Sequence, residues 1–315
     1  MAIGMRHGDQ GRPPDVAAGP RRIPDPGGHG GDGTRVAAAL GIDPSSVLDL
    51  SASLNPVAPD PAPVVARHLD ELGRYPDPDR ATHALAEAVG APPECVLLTN
   101  GGAEAISLVA GVLGGRVEEP EFSLHPRGVG PLWRSDPHNP TGRLAGPDER
   151  AGVRDEAFYP LAAGRWTRAD PDTVVVGSLT KLFACPGLRI GYVVADPDLV
   201  ARLGERQPAW SVNGLAAGAL PELLATADLP RWTGEIAALR RDLVDLLARH
   251  GLDPGPSDAN YVLCRTAPGL RERLAPHGVV VRDCASFGLP GQARIAVPTA
   301  DGLTRLAKAL ERSAA

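Results

Sequence analysis

Short apolar runs and helical stripes take turns along this chain. "CVLLTN" (95–100) is a short apolar run of the kind a buried strand needs, and Gly101-Gly102 follow it. "AEAISLVAGVL" (103–113) places Ala103, Ile106, Val109, Ala110 and Leu113 at helical spacing, so a strand–glycine–helix order opens a βα unit. Upstream, "SSVLDLSAS" (45–53) reads as a short strand running into the loop "SASLNP", and "THALAEAV" (82–89) as a helix. "TVVVGSL" (173–179) and "LRIGYVVAD" (188–196) are β-branched strands separated by a loop with Pro186-Gly187. Helix follows from about 215 to about 250, where Ile236, Leu239, Leu243, Leu246 and Leu247 share a face and Gly251 is the stop. "NYVLCR" (260–265), "GVVVRD" (278–283) and "ARIAVP" (293–298) read as strands before a helix at 301–312. Residues 114–154, rich in Gly, Pro and Arg, predict neither a strand nor an amphipathic helix. No internal repeat is present, and the order predicts an α/β fold: a mostly parallel sheet with helices, then a smaller α+β unit.

Length and composition narrow the function classes. A chain of 315 residues exceeds one simple core and predicts two domains or a large α/β domain with a smaller partner. The net charge of −6 argues against a nucleic-acid partner, since phosphate contacts want a basic face. No apolar run approaches the ~18 residues of a membrane span. Residues 1–28, with their Gly, Pro and Arg content and no apolar stretch, predict a disordered tail rather than a signal peptide. Cys95, Cys185, Cys264 and Cys284 are widely spaced and form no C-x-x-C pair, as expected of free thiols in a reducing compartment. The expected location is cytoplasmic, and no metal-ligand pattern is read.

One residue stands out chemically. Of 32 cationic side chains only Lys181 and Lys308 are lysine. Arginine substitutes for lysine as a surface charge but not as an amine that forms a Schiff base. Lys181 follows an apolar strand, beside the hydroxyls of Ser178 and Thr180, with Arg189 eight residues on. Hydroxyls and an arginine at a strand end suit a phosphate. An amine next to a phosphate pocket points to pyridoxal 5'-phosphate (PLP).

"SLTKLFACPGLRIGY" resembles the lysine motif of the class I/II aminotransferase superfamily, the fold type I PLP enzymes. "TNGGAEAI", "NPTG", "DEAF" and "ARIAV" match the family in its own order, over residues 29–312 or so. The resemblance implies that Lys181 carries the cofactor and moves protons. It implies that Gly102, Ala103 and Glu104 at a helix start, with Ser178, Thr180 and Arg189, face the cofactor phosphate. Asn139 is expected at the ring oxygen, Asp155 at the pyridine nitrogen, and His125 in the place of the aromatic that stacks on the ring. Arg294 is expected to grip a substrate carboxylate, and Tyr75 to reach the phosphate in a neighbouring subunit, which implies a homodimer. The implied domains are an N-terminal segment (29–60) of a small domain, a large PLP-binding domain (61–210) and the rest of the small domain (211–315).

Two stretches narrow the group. "HGGDGTRVAAALGIDPSSVLDLSASLNP" (29–56) and "PAWSVNGLA" (208–216) resemble the L-threonine O-3-phosphate decarboxylases of cobalamin biosynthesis. That resemblance assigns His29, Gly30 and Gly31 to a substrate phosphate and Asn55 to the substrate carboxylate. Histidinol-phosphate aminotransferases share the fold, and a degenerate, non-catalytic homologue is a third reading. The family inserts a strand–helix–strand unit of about 30 residues or more before "NPTG". Here only 16 residues separate Phe122 from Asn139, so the large domain is expected to be shortened around 114–154, with "RLAGPDERAGVR" a poor buried strand.

Overall fold

The structure, a computed structural model, describes residues 22–314. A five-stranded sheet forms its centre. In chain order the strands are β1 (Leu48–Asp49), β2 (Val96–Thr99), β3 (Trp133–Ser135), β4 (Val153–Asp155), β5 (Val174–Ser178), β6 (Gly191–Val194), β7 (Tyr261–Cys264), β8 (Val279–Val280), β9 (Arg282–Asp283) and β10 (Ala293–Ala296). The central sheet runs β2-β6-β5-β4-β3. Strands β3, β4 and β5 pair in parallel, while β6 runs antiparallel to both β5 and β2. Four of the five therefore point one way, as the sequence predicts, with β6 the exception. An antiparallel sheet β7-β10-β9 and a two-stranded parallel pair β1-β8 complete the strands.

Burial explains which runs became strands. Val175, Val176 and Val193 are fully buried because both sheet faces are covered. One face packs on Ala105, Ile106 and Val109 of the helix Gly102–Leu113. The other carries Val96, Leu98, Leu179 and Tyr192 into a cluster with Leu85, Leu220 and Trp232. The predicted helix of about 215–250 is two helices, Gly214–Ala225 and Leu229–Arg249, because Asp228 caps a new start at Arg231 and Pro230 sits in its first turn.

Residues 114–154 depart from the expectation. They supply β3 and all of β4 except Asp155, each only three residues long, so the sheet keeps two strands that hydrophobic pattern does not reveal. Ion pairing there adds to the apolar packing of Trp133 and Val153. Arg154, fully buried in β4, donates to Asp170 (2.8 Å) and to the Glu149 carbonyl and lies 3.6 Å from buried Asp136. Arg168 pairs with Asp136 and Asp170 and donates to the carbonyls of Ala145 and Gly146. The loop is closed by charge and carbonyls instead of a helix.

Residues 22–28, read as part of a tail, are tied to the body. Arg271 donates to the Pro24 carbonyl, and Arg282 to those of Gly27 and Gly28. The remainder of that predicted tail, 1–21, lies outside the described residues.

Glu156, next to this network, is buried, and its carboxylate accepts from the Arg168 amide at 3.2 and 3.3 Å and from the Thr167 side chain. Burial pushes its pKa up from 4.5 to about 7. In the unfolded chain it titrates near 4.5, so between pH 4.5 and 7 the folded state keeps a proton the unfolded state has lost. Stability therefore falls as pH rises through that window, and the full cost, on the order of 3 kcal/mol, is present above pH 7. Glu156→Gln is expected to raise the melting temperature by a few degrees at pH 8 and to leave it unchanged at pH 4.5, measured by thermal denaturation.

Candidate functional site

The last residues of β3, β4 and β5 are Ser135, Asp155 and Ser178, three neighbouring strand ends at one edge of the sheet. Parallel sheets bind ligands at their carboxyl edges, where helix N-termini also converge. A cavity of about 270 Å³ opens there, and all three residues line it. Thr180 and Lys181, in the single turn Leu179–Leu182, follow β5 directly into its wall.

Lys181 Nζ donates to the Ala52 carbonyl at 3.1 Å. Its pKa falls from 10.5 to about 8, first because burial disfavours the ammonium, then because Arg294 and Arg189 are cationic neighbours. A lysine in this state supplies neutral amine at mild pH, which an ordinary surface lysine does not.

One side of the cavity suits an anion. The helix Gly102–Leu113 begins at its wall with Gly102 and Ala103, whose amides have no intrahelical acceptor. Gly101 before it has φ +77°, and a Cβ there would come within 2.4 Å of Arg189 Nη2, so only glycine fits. Among the described residues Arg189 makes one long bond, 3.4 Å, to the Asn100 carbonyl and has no acidic partner. The Ser178 hydroxyl faces the same space, whereas Thr180 Oγ1 already donates to the Ile190 carbonyl at 3.2 Å.

A second cationic group lies across the cavity. Arg294 of β10 is buried, donates to Asn139 Oδ1 (2.7 Å) and the Ser51 carbonyl (3.3 Å), and stacks 4.7 Å from the Tyr261 ring. It is in no ion pair among the described residues, and burial lowers its pKa. Arg282 of β9 does not line the cavity: it donates to the Gly27 and Gly28 carbonyls and to Ser286 Oγ (2.8 Å), has no ion pair among the described residues, and its pKa is lowered to about 10 by burial and then by Arg294. The Phe287 ring lies under both, 5.5 Å from Arg282 and 6.0 Å from Arg294. The sequence reading missed Arg282, although a charge inside the apolar run "GVVVRD" was a signal for it.

The N-terminal segment forms the rim. His29 and Gly30 line the cavity, with His29 5.9 Å from the Phe122 ring. Burial, then Arg282, lowers the His29 pKa. A Cβ on Gly30 would lie 2.1 Å from the Ser51 carbonyl oxygen, so the close approach of the two segments requires glycine.

Asp155 is held from behind. Its Oδ1 accepts from the Ala157 amide and its Oδ2 from His125 Nε2, both at 3.0 Å. The His125 ring is fully enclosed, against Phe122 and Trp133, with Nδ1 3.7 Å from Glu121. His125, expected to stack on the ring, here buttresses Asp155 and does not line the cavity. Phe122, Leu124, Ala157 and Phe158 supply the apolar wall.

Four other expected residues also fall outside the cavity wall. The Glu104 carboxylate turns to Ser211 Oγ (2.5 and 2.6 Å), Gln207 (3.1 Å) and the Asn100 amide (2.7 Å), closing the turn before its helix. The Gly31 amide donates to Ser51 Oγ at 2.8 Å. Asn55 is buried, with its side chain bonded to the Leu182 carbonyl and the Val57 amide. Tyr75 is 77% exposed and stacks on Trp210 at 4.5 Å, away from this cavity.

Comparison with known proteins gives this geometry a family. The profile described as aminotransferase class I and II matches residues 123–310, more than half the chain. The chain belongs to the class I and II aminotransferase family. Members of this family depend on PLP. Among individual relatives, this aminotransferase-family chain is 30% identical to a threonine-phosphate decarboxylase of Salmonella typhimurium, covering 90% of this chain and 95% of that one. It is 28% identical to a histidinol-phosphate aminotransferase of Cupriavidus pinatubonensis, over 89% and 92%. Its fold matches an L-threonine-O-3-phosphate decarboxylase from Porphyromonas gingivalis with a TM-score of 0.71 at 23% identity, covering 84% of this chain and 98% of the other. Among the described residues, no helix is long and apolar enough to cross a membrane.

Proposed function

We propose that this chain decarboxylates L-threonine O-3-phosphate with PLP bound at Lys181, giving (R)-1-aminopropan-2-yl phosphate for cobalamin biosynthesis. The residues present suit the cofactor. Lys181 offers a neutral amine, the amides of Gly102 and Ala103 with Ser178 and Arg189 suit a phosphate, and Asp155 offers a carboxylate to a protonated ring nitrogen. When bound, PLP supplies an electron sink for the pair released at the substrate α-carbon.

The chain's own groups do the rest. Arg294 binds the carboxylate in a bidentate fork, and Asn139 holds that guanidinium in plane. Lys181 Nζ carries the proton that replaces the lost carboxylate, kept near by the Ala52 carbonyl. Phe122, Leu124 and Phe158 exclude water, which strengthens every charge interaction inside.

One observation carries the substrate assignment: the buried guanidinium of Arg294 lines the cavity with no acid partner among the described residues, opposite the phosphate-suited side at Arg189 and beside His29 and Gly30 of the rim. Threonine phosphate brings a carboxylate for Arg294 and a phosphate for the His29-Gly30 rim on one small molecule. Histidinol phosphate carries only the phosphate. The 30% identical decarboxylase relative and the His29-Gly30 rim support the same substrate. The exposed Leu72, Tyr75 and Trp210 suit a second copy of the chain, in which Tyr75 would meet the neighbouring phosphate. The division into a large and a small domain, and a cytoplasmic location consistent with four free cysteines, belong to the same reading.

The test is direct. Chain reconstituted with PLP is expected to release CO2 from L-threonine O-3-phosphate and to transfer little amine between histidinol phosphate and 2-oxoglutarate. Amine transfer without CO2 release would replace the decarboxylase reading by the aminotransferase one. Failure to bind PLP would leave a non-catalytic homologue.

A further inference from the structure

Four consecutive backbone carbonyls in the loop after β1 are each taken by a side chain. The Ser51 oxygen accepts from Arg294 Nη2 (3.3 Å) and the Ala52 oxygen from Lys181 Nζ (3.1 Å). The oxygens of Ser53 and Leu54 accept from a single donor, Asn260 Nδ2, at 2.8 and 3.3 Å. Asn55 then fastens the loop to the lysine's own turn: its amide donates to the Lys181 carbonyl (3.0 Å) and its Nδ2 to the Leu182 carbonyl (2.9 Å).

We infer that Asn260 is a positioning residue that fixes the register of residues 51–54, and through them the placement of the Lys181 amine relative to the Arg294 guanidinium. Asn260 is fully buried immediately before β7, and its own carbonyl accepts from the Val297 amide. Its orientation is not arbitrary, since exchanging amide oxygen and nitrogen would press a lone pair against two carbonyls. Ser53, also fully buried, has φ +50°, a conformation that non-glycine residues keep only where their surroundings over-determine it. The determinants here are the Asn260 amide on one side and the Asn55 bonds on the other. Without Asn260, Ser53 relaxes towards negative φ. The Ala52 and Ser51 carbonyls then leave Lys181 and Arg294 together, because they belong to one rigid stretch. Asn260 touches neither amine nor guanidinium, so it acts through the loop.

The inference rests on the reading that Lys181 captures PLP, and its test separates the two. Capture is followed by absorbance across pH in the unsubstituted chain, Asn260→Ala and Asn260→Ser, the last keeping one donor. Withdrawal of the loop lets water reach the amine and relieves the burial that lowers its pKa. Asn260→Ala is expected to move the midpoint of capture upward by about one pH unit and to weaken PLP binding about tenfold, with Asn260→Ser between. A purely structural role lowers the melting temperature and leaves the midpoint where it was; that result in either folded variant overturns the inference. Amide exchange of the unsubstituted, PLP-free chain gives a readout independent of folding in the variants. The Asn55 amide is expected to exchange as slowly as those of β5, and exchange at loop rates overturns the strap. If the unsubstituted chain captures no PLP, the proposed function fails, and the exchange rate alone decides whether the strap exists.

Discussion

Lys181→Ala is expected to abolish the visible absorbance band that one equivalent of PLP gives with this chain, and to lower turnover by more than about 10⁴-fold. Two losses combine: the amine that anchors the cofactor, and the group that moves the proton at the α-carbon, each a large contribution alone. Lys308, the only other lysine, is exposed in the helix Ala300–Ala314 and outside the cavity wall, so it cannot substitute. The unsubstituted chain supplies the complementary measurement. With a pKa lowered to about 8 by burial and by the cations of Arg294 and Arg189, the fraction of neutral amine climbs through pH 8 instead of pH 10.5. Capture should therefore accelerate between pH 7 and 9 and level off above. A rise centred near pH 10 would mean that the amine is not enclosed as described.

What could be read in the sequence, and what could not, follows from the range of the interactions involved. β2, β5 and β6 are local statements: apolar residues at fixed spacing, bounded by glycine or proline, and their burial on both faces adds nothing the pattern did not contain. Lys181, Asp155, Asn139 and Arg294 lie at or beside strand ends, so motif order was enough to group them before any contact was known. β3 and β4 failed the same reading because three residues show no period, and because Arg154 is buried by partners 16 and 18 positions away. His125 failed for a related reason. Matching along the chain places it where a ring-stacking aromatic belongs, but the imidazole is enclosed behind the cavity wall and bonds Asp155, while its neighbours Phe122 and Leu124 face the cavity. Glu104 shows the limit of a helix-start motif: the amides of the first turn face the cavity while its carboxylate serves the turn behind. Asn260 was invisible because nothing about an asparagine before a strand announces that a loop more than 200 residues earlier depends on it.

Arg294→Met is the substitution that best separates a functional charge from a structural one, because its effects on activity and stability have opposite signs. Among the described residues the guanidinium is buried with no carboxylate partner, held by Asn139, a carbonyl and two aromatic rings. Such a group is costly to the folded chain, since desolvation of the charge is only partly offset by neutral acceptors. Methionine keeps the apolar stem without the charge, and the melting temperature of the PLP-free chain is expected to rise, by the equivalent of about 1–2 kcal/mol. Activity should move the other way: loss of a charge-assisted fork to the substrate carboxylate raises KM by roughly 10²–10³-fold. A third readout ties the two together. Arg294 is the larger of the two cationic influences that hold down the Lys181 pKa, so its removal shifts PLP capture to higher pH. A variant that melts lower, binds substrate normally and captures PLP at an unchanged pH would show Arg294 to be a structural cation. The assignment of this cavity to an anionic substrate would fall with it.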